Sequence, residues 1–469
     1  MATHTMIIKK FQGILLLFTF YFSLFTLTSC DKFLDIQPTG KVIAQTGEEY
    51  RALLTSVYNT FPDDRSLTTL RSDEMTLDPA TTQPQDLNSY FDIWTWNDLT
   101  PDENTATYSW RRFYHIIYIA NYVIEHQSEI TEAKPAEVRQ LVGEAYMLRA
   151  YCHFILVNLF GEPYTYCDPS TSLAVPLAIE ADVDAVLPRS TVEVIYQQIL
   201  SDISAAQQNL NVVEWKAELR YRFNTVSAQA LLSRVCLYMG RWQEALDAAK
   251  AVIEVHPDLE NITKRNGYTP DDYRSVEAIV CLEQVMKSDY RVGVPNKVFV
   301  DLFNPDEEDD WRIKVYVEQD DLEEDSEGED VIVYKLCKGG DPLRRSTFRS
   351  SEAYLTAAEA AARMGNLQEA IDLITPLVQH RYISANTQPR VLNEMATMTQ
   401  ADLIKAILDE RARELCYEGH RWFDLRRTTQ PRIEKEYNGV TYVLKEHDSR
   451  YTMPLPTEAI SANPGLAAE

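Results

Sequence analysis

Three glutamates at four-residue steps, Glu410, Glu414 and Glu418, have the residue type and spacing to do chemistry. Two carboxyl groups held on one helix face could act as the acid and nucleophile of a glycoside hydrolase. Their neighbours Arg411, Arg413, Arg421, Asp424 and Arg426 suggest a structural use instead. Like charges along one ridge repel by roughly a few tenths of a kcal/mol per pair. Arginines from this helix or from packed neighbours relieve that repulsion, so the pattern predicts a partly buried ion-pair network. A second chemistry-bearing stretch places Tyr90, Trp94, Trp96 and Asn97 close in sequence to Arg71, Asp73 and Glu74. Flat aromatic faces beside hydrogen-bonding side chains suit a polyhydroxylated ligand. The chain has no Gly-x-Ser-x-Gly, metal-binding His pair or phosphate loop, and its eight histidines are scattered.

The element that must carry the glutamates spans 399–427. Thr399 with Asp402 reads as a helix-opening box. Ile404, Ile407, Leu408, Leu415, Trp422 and Leu425 then form an apolar stripe at helical period. Gly419 interrupts it at a cost of about 1 kcal/mol against Ala. The unbroken stripe predicts that the helix continues through the glycine.

Within it, Glu410-Arg411-x-x-Glu414-Leu415-x-x-Glu418-Gly419-x-Arg421-Trp422-x-Asp424-Leu425-x-Arg427 resembles the C-terminal signature of the SusD/RagB family. Those proteins are outer-membrane lipoproteins of Bacteroidetes that capture nutrients, mostly glycans, for a SusC-like TonB-dependent transporter. Further segments are similar to family motifs: Trp110-x-x-x-Tyr114-x-x-Ile117-x-x-Ala120-Asn121, Glu144-x-x-x-Leu148-Arg149-Ala150 with Gly161-x-Pro163, Arg189-Ser190-Thr191, and Pro454-x-Pro456 with Asn463-Pro464. The resemblance implies a mostly α, SusD-like fold. Tetratricopeptide (TPR)-type hairpins would form a scaffold facing the transporter, and a loop-rich region with a few short strands would hold ligand without chemistry. Its RagB branch makes a peptide the alternative ligand. A TPR adaptor and a glycoside hydrolase are the rivals from other classes.

Charge and targeting signals agree with export. The net charge of −26 disfavours nucleic acid, whose phosphates would be repelled. Lys9 and Lys10 precede an apolar run from Ile14 to Leu27, then Leu27-Thr28-Ser29-Cys30. This reads as a signal peptide over 1–29, with Cys30 as the acylated residue of a lipoprotein and 30–46 as its tether. An outer-membrane, surface-exposed site follows from the family rather than from the lipobox. Cys152, Cys167, Cys236, Cys281, Cys337 and Cys416 show no CxxC or zinc spacing and read as mostly free and buried. No metal or other cofactor is expected. Of the acidic runs Asp306–Asp310 and Asp320–Asp330, the latter lacks EF-hand spacing as a calcium site and reads as a solvated loop.

The remaining organisation is helical. A helix is expected at about 47–60, and more over 105–160 and 190–210. Residues 61–104 read as a long functional loop. Within it, Tyr90, Trp94 and Trp96 would share one face if extended. Leu232, Gly240, Ala245 and Pro257 fall at TPR spacings in 228–257. Met239-Gly240-x-x-Gln243-Glu244-Ala245-x-Asp247 recurs as Met364-Gly365-x-x-Gln368-Glu369-Ala370-x-Asp372, marking a second hairpin at 350–380. Copies so far apart cannot be neighbours in a simple tandem array, so other helical pairs must fill the stack. The chain divides into an N-terminal region, 47–270, and a C-terminal region, 271–469. The expected ligand contacts are Trp94, Trp96, Tyr90, Asn97, Asp73 and Arg71, with Tyr290-Arg291 and Trp311-Arg312 in second rank. Asp310-Trp311-Arg312 also reads as a turn tie.

Overall fold

The computed structural model describes residues 44–77, 84–264, 267–287, 292–304, 309–324, 330–383 and 387–467. The expected signal peptide, Cys30 and most of the tether lie outside the described residues, as do Tyr290, Arg291 and parts of both acidic runs. Helix α1 (Gly47–Asn59) opens on a reciprocal cap, with Thr46 Oγ1 accepting from Glu49 N–H and Glu49 accepting from Thr46 N–H. The stretch expected to be one long loop is largely ordered into short elements. They are a helical turn at Asp64–Leu67, a tight turn at Thr68–Arg71, strand β1 (Met75–Thr76) and helix α2 (Pro84–Trp94).

Helices α3 (Trp110–Glu125) and α4 (Pro135–Phe160) follow. Pro135 starts α4 at the first helical position, where its missing N–H has no cost. From Gln140 onward almost every α4 side chain is buried, as befits a helix enclosed on all sides. Its stop is Gly161, ahead of the paired strands β2 (Leu173–Pro176) and β3 (Arg189–Thr191). Thr191 then caps α5 (Val192–Asn209) by accepting from Val194 N–H. The first TPR-type hairpin is α6 (Thr225–Tyr238) and α7 (Trp242–Val255).

Residues between the hairpins form the β-rich insertion, containing β4 (Ala278–Val280), β5 (Val294–Pro295) and the antiparallel hairpin β6 (Val317–Glu324) and β7 (Asp330–Leu336). Strand β8 (Phe348–Arg349) pairs with β4 and leads into the second TPR-type hairpin, α8 (Ser350–Arg363) and α9 (Leu367–Arg381). The insertion bulges out of the stack, so α7 packs directly on α8 and the two repeat copies are spatial neighbours. The expected extra pairs instead extend the stack on its N-terminal side: α3 on α4, α4 on α5, α5 on α6. In each hairpin the turn glycine adopts a left-handed backbone, Gly240 at φ 73° and Gly365 at φ 86°. The following amide closes back five residues, from Arg241 to the Cys236 carbonyl and from Asn366 to that of Ala361.

Helices α10 (Thr387–Ala396), α11 (Gln400–Glu414) and α12 (Arg421–Thr428), then strands β9 (Ile433–Tyr437) and β10 (Val440–Leu444), complete the chain with a short C-terminal helical turn. The expectation of one helix over 399–427 is corrected here. It breaks after Glu414, and the chain turns through Tyr417 (φ 61°) and Gly419 (φ 72°) before resuming at Arg421. The cause is a neighbour, because a Cβ on Gly419 would sit 2.1 Å from the Arg65 carbonyl oxygen. None of the six cysteines of the described fold is in a disulfide, and four are buried.

Candidate ligand-binding cleft

The signature segment is the frame on which the candidate site rests. Glu410, Glu414 and Glu418 have fully buried side chains, and basic side chains answer each one. Glu410 meets Arg312 at 2.6 Å. Glu414 meets Arg349 at 2.6 Å and Arg381 at 2.8 Å, and Glu418 meets Arg349 at 2.8 Å and Lys338 at 2.6 Å. Burial alone would raise these carboxyls. The facing cations outweigh it and hold Glu410 and Glu418 at about 2. The relief expected for the glutamate ridge is therefore present, supplied by α9, β8 and the insertion. Each carboxyl is thus committed to cations inside the fold, the structural use that the mixed charge pattern predicts. Asp310 and Arg312 form the expected turn tie, bidentate at 2.9 and 2.7 Å.

The turn after α11 then grips the N-terminal segment. Glu74 accepts the Tyr417 N–H at 2.6 Å and the Ser72 hydroxyl at 2.8 Å. Burial pushes the Glu74 carboxyl up to about 7 against those two donors. Arg421 clamps Asp73 through two bonds of 2.8 and 2.7 Å. Arg71 is fully buried over the Trp422 ring and holds Asp98 at 2.6 and 2.8 Å.

These ties decide where the expected ligand residues lie. Tyr90 and Trp94 are on helix α2, not on an extended strand, and both belong to the core cluster with Leu70, Met75 and Tyr417. Trp94 is 0% exposed and its indole N–H donates to the Met75 carbonyl, so it presents no face to a ligand. Arg71 and Asp73 are likewise occupied as structural ties. Trp96 is buried, with φ 59° and its N–H on the Arg71 carbonyl, yet it backs a cleft. Lys435 supports it from below, 4.3 Å from the ring centroid, and donates to the Leu70 and Trp94 carbonyls. Asn97 lines the same cleft and is braced by Asp92 and Thr100. Of the six expected contacts the cleft gathers Trp96 and Asn97. Trp311 is outside it and stacks with Lys314.

The cleft has a volume of about 1270 Å³. That exceeds the few hundred to about 1,000 Å³ typical for a small ligand and suits an oligomer. Its walls carry rings that sequence reasoning missed. Phe91 and Tyr442 meet edge to face at 5.4 Å between centroids, and Tyr166 lies against His447 at 5.9 Å. Tyr166 is 38% exposed, and its hydroxyl is held by the Thr428 carbonyl at the end of α12. Polar groups between the rings include Asp92, Glu162, Arg189 and Arg450. The Asn438-Gly439 turn that pairs β9 with β10 was a readable cue for Tyr442. Nothing local marked Tyr166 or His447.

Comparison with known proteins agrees with the architecture. A family model described as "Starch-binding associating with outer membrane" matches residues 32–237, and one described as "SusD family" matches 343–468. SusD-like protein P38 of Formosa agariphila is 26% identical over 98% of this chain and 99% of its own. SusD-like protein P2 of the same organism is 25% identical over 78% and 80%. A SusD superfamily protein from Bacteroides thetaiotaomicron superposes with a TM-score of 0.73 at 23% identity, over 90% of this chain and 99% of that one. A structure described as a laminarin-binding SusD-like protein superposes with a TM-score of 0.59 at 20% identity, over 82% and 92%. Two family matches flanking the β-rich insertion, a relative collinear from end to end, and the arginine-locked signature turn lead to one conclusion: the chain belongs to the SusD/RagB family.

Proposed function

We propose that this protein is a lipid-anchored, surface-exposed nutrient binder of the outer membrane. It captures an oligosaccharide or polysaccharide in the cleft and hands it to a SusC-like TonB-dependent transporter without altering it. The observation that carries this reading is the pairing of aromatic rings on the cleft walls, Phe91 with Tyr442 and Tyr166 with His447, beside polar lining groups. Sugar C–H patches stack on such rings while hydroxyls bond the groups between them. The family description of starch binding and the laminarin-binding neighbour support the same ligand class. Acylation of Cys30 would supply the anchor. Among the described residues no helix is long and apolar enough to cross a membrane.

Isothermal titration against glycan and peptide panels tests the ligand class. Binding of a glycan that weakens about tenfold in Tyr442→Ala or Tyr166→Ala is the expected result. Competition by peptides alone, or hydrolysis of the bound glycan by the purified protein, would overturn the reading.

A further inference from the structure

The charges around the cleft are already answered from within. Asp98 is held by Arg71, and Asp448 by Arg450 at 2.9 and 2.7 Å. Asp92 accepts from Asn97 Nδ2 at 2.8 Å, the Asp102 N–H at 2.6 Å and the Thr105 hydroxyl at 2.8 Å. Glu162 accepts from the Ser172 hydroxyl at 2.5 Å. Arg189 directs Nε and Nη2 onto the carbonyls of Ala174 and Leu173, at 2.9 and 2.5 Å. Thus neither guanidinium on the wall, Arg189 or Arg450, presents a free fork to a ligand carboxylate or sulfate. The four wall carboxylates outnumber the two wall guanidiniums, and the cations behind the wall, Arg71 and Lys435, are already committed to Asp98 and to the Leu70 and Trp94 carbonyls. A polyanion entering here would have to displace a bidentate partner or face like charge, and desolvated like-charge juxtaposition opposes binding. The whole chain adds a repulsive field through its net charge of −26. What stays open to a ligand is ring surface and the spare lone pairs of paired carboxylates, which suit hydroxyl donors.

Resting on the glycan reading of this cleft, we propose that its ligand is an uncharged polysaccharide, and that chains bearing uronate or sulfate groups are excluded. Affinity electrophoresis of the full mature chain, at low and at high salt, provides the test. The neutral probes are laminarin, starch, xylan and galactomannan. The anionic probes are alginate, polygalacturonate and carrageenan, together with C6-carboxylated derivatives of the neutral chains. The expected result is retention by a neutral polysaccharide, with binding at least about tenfold weaker after carboxylation of the same backbone. Retention by an anionic chain in preference to every neutral one, lost in Tyr442→Ala, would overturn the exclusion while leaving the cleft as the binding site. Retention unchanged in both Tyr442→Ala and Tyr166→Ala, or no retention by any chain, would overturn the cleft reading and this proposal with it.

Discussion

Two regions of the molecule use the same side chains, arginine and carboxylate, for opposite ends. In the signature network each glutamate is fully buried and Glu414 is shared by Arg349 and Arg381, with Arg312 at 3.4 Å. Glu277 joins the lattice through Arg349 at 3.0 Å and Arg381 at 2.5 Å. The result is a cross-link between α9, α11, the insertion and β8. At the cleft the pairs are simple: one arginine faces one aspartate, Arg71 with Asp98 and Arg450 with Asp448, and both aspartates line the cavity. Shared, dry ion pairs hold a frame together, whereas single pairs at a rim fix its charge and leave it open. Damage to the first should appear as unfolding, and damage to the second as lost binding.

The strongest attempt to break that contrast is Glu414→Ala. Removing one member of a buried charge network leaves its arginines unanswered, so the expected loss is about 3–5 kcal/mol of folding stability. Urea denaturation measures it, and a loss below about 1 kcal/mol would show that the network is not what holds the frame. Lowering the pH probes the same lattice without mutation. Burial opposes ionisation of Glu410 and Glu418, but their cationic neighbours hold both at about 2, as Arg427 and Arg363 hold Glu359 of α8 in a separate buried cluster. With folded values below the unfolded one of about 4.5, their contribution is complete above that pH. It is lost as the pH falls from about 4.5 through about 2. Glu74 acts in the other direction: its raised value of about 7 favours the fold at low pH, and that contribution fades as the pH rises through about 7. In Glu74→Gln the decline between about pH 4.5 and pH 7 should vanish while the acid limb stays.

Next in size is Gly419→Ala. The left-handed backbone and the approach of the Arg65 carbonyl predict a loss of roughly 1–3 kcal/mol, with the repeat glycine Gly365, which has open space around its Cβ position, as the milder control. Trp94→Phe should cost about 1–2 kcal/mol through the orphaned Met75 carbonyl and leave glycan affinity unchanged. A drop in affinity at constant stability would return Trp94 to the ligand site and undo its placement in the frame.

How much of this could be read from the chain depended on distance along it. The Thr399 cap and the TPR-type turns at Gly240 and Gly365 are local patterns with their expected form, whereas the glutamate ridge showed only that cations were needed, and Arg349 and Arg381 supply them from distant segments. The break at Gly419 is caused by the Arg65 backbone far upstream, which no helical periodicity reports. Tyr90 to Trp96 was ambiguous for a different reason. Over seven residues an alternating pattern also contains the three- and four-residue steps of Tyr90, Ile93 and Trp94, and packing against Leu70 and Met75 selects the helix. The cleft was the least readable feature, because its walls come from separated segments, among them those around Phe91, Tyr166, Arg189, Tyr442 and Ile460. Only the frame brings them together.

The smallest expected effect separates the surface from both regions. Lys250 on α7 pairs with Glu369 on α9, bridging the two repeat copies, but both side chains are substantially exposed. A pair in that setting contributes about 0–1 kcal/mol, less at high salt. The copies are held instead by apolar packing: Ala245, Ala249 and Val252 of α7 and Ala357, Ala358 and Ala361 of α8 are almost completely buried, and the two helices lie in direct contact. Lys250→Ala should therefore leave the urea midpoint nearly unchanged, whereas Ala358→Leu, which overfills a close-packed position, should cost about 1–3 kcal/mol. If the lysine change proved the larger of the two, charge rather than shape would join the repeats, and the division between ionic frame and apolar stack would have to be redrawn.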